Sequence, residues 1–114
     1  MVRFEVPAIS EFCVALGRAQ GMSEGDARAV VEIMVQCDAR GIRSHGLMRW
    51  PTYLRRMQAG GIDPRARPEV IKESGATAVV DARNASGYVA SRFAMEHAIG
   101  LARKYGVSAV AERN

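Results

Sequence analysis

Between Thr77 and Ala111 a short β-prone run, a long helical segment and a second β-prone run follow one another, and this succession narrows the fold more than any other feature. The flanking runs are Thr77-Ala78-Val79-Val80-Asp81 and Val107-Ser108-Ala109-Val110-Ala111. Between them, Gly87 to Tyr105 places Ala90, Phe93, His97, Ala98 and Leu101 along one helical face, and Gly106 stops the helix. A strand–helix–strand unit implies parallel pairing, because the helix carries the chain back to the starting edge of the sheet. Just upstream, Glu69-Val70-Ile71-Lys72-Glu73 is separated from Thr77 by Ser74-Gly75-Ala76, the spacing of a β-hairpin. The fold class is therefore α/β. A sheet of only these strands leaves an edge and a face unprotected, and the chain stops at Asn114, straight after the last run. The expectation is that residues 1–114 form a single truncated N-terminal segment of a larger domain.

The first half reads as helices. Ile9, Phe12, Cys13 and Leu16 recur at helical spacing, and Gly21 ends that stripe. Ser23 opens a second helix, with Asp26 three residues on in a capping-box pattern. Its apolar face is Ala27, Val30, Val31, Met34 and Val35, with Gly41 as its stop. The short Gly21-Met22 joint makes the pair a helical hairpin. Leu47, Trp50, Leu54 and Met57 mark a third helix. If that helix is unkinked, Pro51 means it starts no earlier than about Met48, or Leu47 with a tolerance of one residue, since proline lacks the N–H that later helical positions must donate. Gly60-Gly61 closes it and Asp63-Pro64 makes a turn.

At 114 residues the chain has room for one domain at most. No stretch approaches the ~18 consecutive apolar residues of a membrane span. The start, Met1-Val2-Arg3-Phe4-Glu5-Val6-Pro7, lacks the apolar core of a secretory signal. Cys13 and Cys37 have no metal-binding spacing and fall on helix stripes, which suits reduced thiols in a cytoplasmic protein. The net charge of +4 is concentrated. Seven arginines lie between Arg40 and Arg67 against one acid, Asp63. Such a stripe can bind nucleic acid or an acidic small molecule. However, arginine outnumbers lysine 14 to 2 along the whole chain, so this bias is weak support for nucleic acid.

The candidate site is Ser44-His45-Gly46 with Arg49, at the expected start of the third helix. A helix N-terminus attracts anions through its free N–H groups. Arg49 can add a two-pronged contact to a carboxylate. His45 can donate a proton to a carbonyl oxygen, since an imidazole ordinarily titrates near ~6.5, or orient the substrate. Ser44 can cap the helix or bond the ligand. Together they suit a 2-oxo or 2-hydroxy acid. The plainer alternative is a cap, a turn and a solvated arginine. His97 reads as a packed or hydrogen-bonded structural residue. Asp38 and Arg40 either pair near the helix end or face water. Asp81 lies at a strand end like a ribose-binding acid, but no GxGxxG precedes it, which excludes a conventional Rossmann site. P-loop, zinc and nucleophile–base motifs are absent from the sequence.

The pattern Asp38-x-Arg40-Gly41-x-x-Ser44-His45-Gly46-x-x-Arg49 resembles the malate/L-lactate dehydrogenase family, which lacks the ordinary Rossmann fold and includes relatives acting on ureidoglycolate, sulfolactate, diketogulonate and cyclic imino acids. The resemblance continues through Tyr53, Gly60-Gly61, Val79-Val80-Asp81, and Ala94-Met95-x-x-Ala98-Ile99-x-x-Ala102 before Gly106-Val107. It implies a fold incomplete at this length, a dimeric NAD(P)-dependent oxidoreductase, Arg49 on the substrate carboxylate, His45 in proton transfer or substrate orientation, and Ser44 in support. Family members continue into an Asn-Ser-x-His-type motif, of which only Asn114 stands here, so the NAD or NADP segments are expected beyond it. An alternative is a catalytically inactive module acting in dimerisation or partner binding.

Overall fold

In a computed structural model that describes residues 2–114, the chain divides between Arg65 and Ala66, and each part is built on a different principle. The first part holds three α-helices among the described residues: α1 (Val6–Ala19), α2 (Glu24–Ala39) and α3 (Trp50–Gln58). Pro7 sits in the first turn of α1, where its missing N–H costs nothing. Gly21 takes φ +102° at the other end. Its N–H reaches the Arg18 carbonyl at 2.9 Å, and the Met22 N–H reaches Gly17 at 3.2 Å. This paired closure satisfies the last carbonyls of a helix. It recurs at Gly41 after α2 and at Gly60 after α3, both with positive φ. Ser23 opens α2, its Oγ accepting the Asp26 N–H at 3.1 Å. The expected hairpin of α1 and α2 is present, and Arg28 crosses it to Glu11 at 2.7 Å while also reaching Glu24.

Trp50 organises this part. Its ring is 2 % exposed, and its Nε1–H donates to the Cys13 carbonyl at 3.0 Å. A Cβ added at Gly17 would lie 3.0 Å from Trp50 Cζ2 and 3.2 Å from both Ala27 Cβ and Met22 Sδ. The bare backbone of Gly17 therefore admits the indole where the three helices meet. That corrects the expected α1 stripe. Cys13, Val14 and Gly17 are buried, whereas Ile9 and Leu16 are half-buried and Phe12 is 60 % exposed. Periodicity weighs side chains, so it overlooks a face defined by a glycine. The α2 face is as expected, with Ala27, Val30, Val31 and Met34 buried and Val35 half-buried. The start of α3 respects the limit set by Pro51. Arg43–His45 and Leu47–Arg49 form 3₁₀ turns, and the α-helix begins at Trp50, so Pro51 falls in its first turn.

The second part is a sheet with one covering helix. β1 (Glu69–Ser74) pairs antiparallel with β2 (Thr77–Asp81), and β2 pairs in parallel with β3 (Ala109–Arg113) across α4 (Gly87–Tyr105). The order β1-β2-β3 realises both the hairpin and the strand–helix–strand unit. The bounds of α4 match the sequence reading, and Gly106 closes it at φ +85°. β3 starts two residues later than expected, because Val107 and Ser108 carry the chain off the helix and the Ser108 hydroxyl donates to the Ala98 carbonyl at 2.7 Å. Ala78 and Val80 of β2 and Ala90, Ala94 and Leu101 of α4 form the core of this part. Cys13 is buried, Cys37 is half-buried, and both are free thiols. Burial pushes the Cys13 thiol above its ordinary value. Among the described residues no helix is long and apolar enough to cross a membrane.

Candidate functional site

The Arg43–Arg49 segment leaves α2 through the left-handed Gly41 and makes its two 3₁₀ turns end to end. In the first, the His45 N–H reaches the Ile42 carbonyl and the Gly46 N–H reaches Arg43, each at 3.1 Å. Gly46 is extended, and its carbonyl accepts the Arg49 N–H at 3.0 Å to begin the second turn. Ile42, Arg43, Ser44 and His45 are exposed, while Gly46 beneath them is buried.

Ser44 joins the sequence-selected residues. Its hydroxyl lies 2.9 Å from His45 Nδ1, and its carbonyl accepts Arg49 Nε–H at 2.9 Å. When the hydroxyl donates to Nδ1, the ring proton sits on Nε2. Among the described residues neither His45 Nε2 nor the terminal nitrogens of Arg49 have a protein partner. The pair thus presents a neutral or cationic N–H and a planar guanidinium edge to the exterior. Such an edge binds a carboxylate in two parallel hydrogen bonds.

Several of the backbone donors expected at the helix start are already engaged. The Leu47 N–H donates to Asp38 Oδ2 at 2.9 Å, Arg49 donates to Gly46, Trp50 donates to Leu47, and Pro51 has none to give. Asp38 neither pairs with Arg40 nor simply faces water: it is bound to the loop. The sequence places Asp38 in the motif but gives no local sign of this bond, which reaches a backbone N–H nine positions away.

The other candidates are structural. His97 Nε2 lies 2.6 Å from Glu73 Oε2, tying α4 to β1. Asp81 accepts the Arg83 N–H at 2.9 Å and is contacted by Asn114 and Arg113. The Arg83 amide first, then Asn114 and Arg113, hold its carboxyl below the ordinary value of 3.8. A dinucleotide needs open backbone N–H groups between strand and helix. Here the β2–α4 connection has none to offer from Ala82 to Ala85. Ala82 donates to Arg113, Asn84 to Asn114, Ala85 to Ala82, and Arg83 to Asp81. The described residues do not fit a pyrophosphate cradle at this point. No cluster of metal-ligating side chains occurs among them either. All seven arginines from Arg40 to Arg67 are exposed.

Comparison with known proteins bears on residues 4–114, which match the profile of malate/L-lactate dehydrogenase. L-Sulfolactate dehydrogenase of Methanocaldococcus jannaschii is 40 % identical over 94 residues, 82 % of this chain and 27 % of that protein. Malate dehydrogenase of Pyrococcus abyssi is 35 % identical over 113 residues, 99 % of this chain and 31 % of that protein. The crystal structure of malate dehydrogenase from Entamoeba histolytica superposes with a TM-score of 0.94 at 35 % identity, over 99 % of this chain and 32 % of that one. The chain spans about a third of the length of the relatives it matches.

Proposed function

Since the chain belongs to the malate/L-lactate dehydrogenase family, we propose that it forms the substrate-carboxylate side of an NAD(P)-dependent oxidoreductase interconverting a 2-hydroxy acid and a 2-oxo acid. The arrangement around Ser44 carries this reading. One residue orients both His45, through Nδ1, and Arg49, through Nε, while Nε2 and the guanidinium edge stay open. Arg49 binds the substrate carboxylate through its terminal nitrogens. As an imidazolium, His45 hydrogen-bonds the neighbouring 2-oxo oxygen through Nε2–H and gives up that proton as the oxygen becomes a hydroxyl. The neutral ring left behind keeps its proton on Nδ1, and its free Nε2 takes the hydroxyl proton back in the reverse direction. Ser44 Oγ accepts the Nδ1–H in both states and so holds the ring in place. Holding both donors through one residue contributes to the rate by orientation.

The nicotinamide is assigned to no described residue; the backbone N–H groups from Ala82 to Ala85 are already bonded. We read residues 1–114 as the N-terminal part of a family-length polypeptide whose remainder holds the cofactor, acting in the cytoplasm as a homodimer.

The test is NADH- and NADPH-dependent reduction of a panel of 2-oxo acids by the polypeptide of family length. Arg49→Ala is expected to raise KM about 100-fold, the loss of a charge-assisted pair. His45→Ala is expected to lower kcat by about 100-fold or more, the contribution of a general acid. Unchanged turnover in His45→Ala sinks the role of that histidine, and an unchanged KM in Arg49→Ala sinks the carboxylate site.

A further inference from the structure

The exposed loop that carries Ser44, His45 and Arg49 has one buried residue, Gly46, and what covers it is a carboxylate. A Cβ added at Gly46 would lie 1.9 Å from Asp38 Oδ1, 2.3 Å from Cγ and 2.6 Å from Oδ2. The same carboxylate accepts the Leu47 N–H at 2.9 Å. Asp38 stands in the last turn of α2, whose end is closed at Gly41 and Ile42 by bonds to Asp38 and Cys37. Its side chain therefore reaches from a closed helix end to the junction of the two 3₁₀ turns. His45 lies on one side of that junction and Arg49 on the other.

We propose that Asp38 is a positioning residue: a carboxylate latch, seated on the bare backbone of Gly46, that keeps the turn bearing Ser44 and His45 in register with the turn bearing Arg49. The inference rests on the carboxylate-site reading above. It explains why the motif needs an acid at 38 and a glycine at 46. Gly46 is extended, at φ −86° and ψ −163°, a conformation open to any residue. Its requirement is therefore one of space: a methyl group there occupies the seat of the carboxylate. Without the latch the Leu47 N–H loses its acceptor, and the Arg49 Nε–Ser44 carbonyl bond must set the geometry unaided.

The experiment uses the polypeptide of family length, ¹⁵N-labelled, and oxamate as a carboxylate probe. In the parent protein the Leu47 amide and the Arg49 Nε–H should both be slow to exchange with solvent. Asp38→Ala should speed the exchange of both at least tenfold and weaken oxamate binding by a similar factor. Asp38→Asn, which keeps a carbonyl acceptor in place, should restore both to within about threefold. Gly46→Ala should reproduce Asp38→Ala, and the double variant should be little worse than either alone, as expected of one shared contact. A lower melting temperature in Asp38→Ala with unchanged Arg49 Nε–H exchange overturns the inference, leaving a structural aspartate. So does additive loss in the double variant. If Asp38→Ala does not fold, Asp38→Asn decides: rapid Arg49 Nε–H exchange in that folded variant overturns the latch. The site reading is judged separately by Arg49→Ala. Oxamate binding that is unaffected there sinks the carboxylate site, whereas the exchange rates still report on the latch.

Discussion

Two loops of this chain lead into helices, and each has an aspartate just before or beside it, but they hold their shape in opposite ways. Into α3, Asp38 supplies one acceptor from a distance and the turns carry exposed side chains whose polar ends are open. Into α4, Asp81 bonds its near neighbour Arg83, and the N–H groups from Ala82 to Ala85 are all tied off within the loop or to the end of β3. Arg83 and Asn84 are left-handed there, at φ +52° and +64°. In the second loop the N–H groups from Ala82 to Ala85 are satisfied within the chain and are not open to a ligand. The first is held from outside, which frees Arg49 and His45 to meet one. An aspartate beside a helix start is thus not evidence of a binding site; the open donors around it are.

The largest expected effect breaks the support beneath the first loop. Trp50, the first residue of α3, is anchored to the Cys13 carbonyl and packed on Gly17. Trp50→Ala should cost about 3–5 kcal/mol, the range for deleting a buried aromatic, measured by denaturant unfolding. A cost under about 1 kcal/mol would mean that the turns of the first loop stand without helix packing. A smaller effect tests the second loop. Folding lowers the Asp81 carboxyl, chiefly through the Arg83 amide, so the native state stays ionised further into acid than the unfolded chain. Its stabilisation is complete above the unfolded value of 3.8 and is lost as pH falls through the lower, folded one. Asp81→Asn should therefore flatten the acid limb of stability followed by circular dichroism, with no change in oxamate affinity. Glu11, lowered by its bond to Arg28, contributes in the same direction, and Glu11→Gln calibrates that share. An acid limb unchanged by Asp81→Asn would show that the backbone alone holds the second loop.

What the sequence discloses and what it conceals follow from the range of each interaction. The helix ends at Gly21, Gly41, Gly60 and Gly106, the Ser23 cap and the β1–β2 turn are made by residues within five positions of one another, so they can be read locally. The residue types of the candidate site are legible for the same reason, since Ser44, His45 and Arg49 bond one another within five positions. The Trp50–Cys13 contact spans 37 positions and the Asp38–Leu47 contact spans nine, and both were invisible. The first of these accounts for the face that α1 buries, since the indole packs on Gly17.

The smallest expected effect separates the two histidines, which a motif search would treat alike. His97 has its Nε2 on the Glu73 carboxylate, and its side chain is 28 % exposed. His45 has Nδ1 on Ser44 and no protein partner on Nε2 among the described residues. A part-exposed ion pair is worth roughly 0–1 kcal/mol, so His97→Gln should move the unfolding midpoint slightly and leave oxamate affinity and turnover untouched. The comparison is strongest when both variants are measured in one preparation, since His45→Gln should do the reverse. A turnover loss in His97→Gln exceeding that in His45→Gln would transfer the proton-handling role to the second part of the chain. The open nitrogen, rather than the residue type, would then have been the wrong criterion.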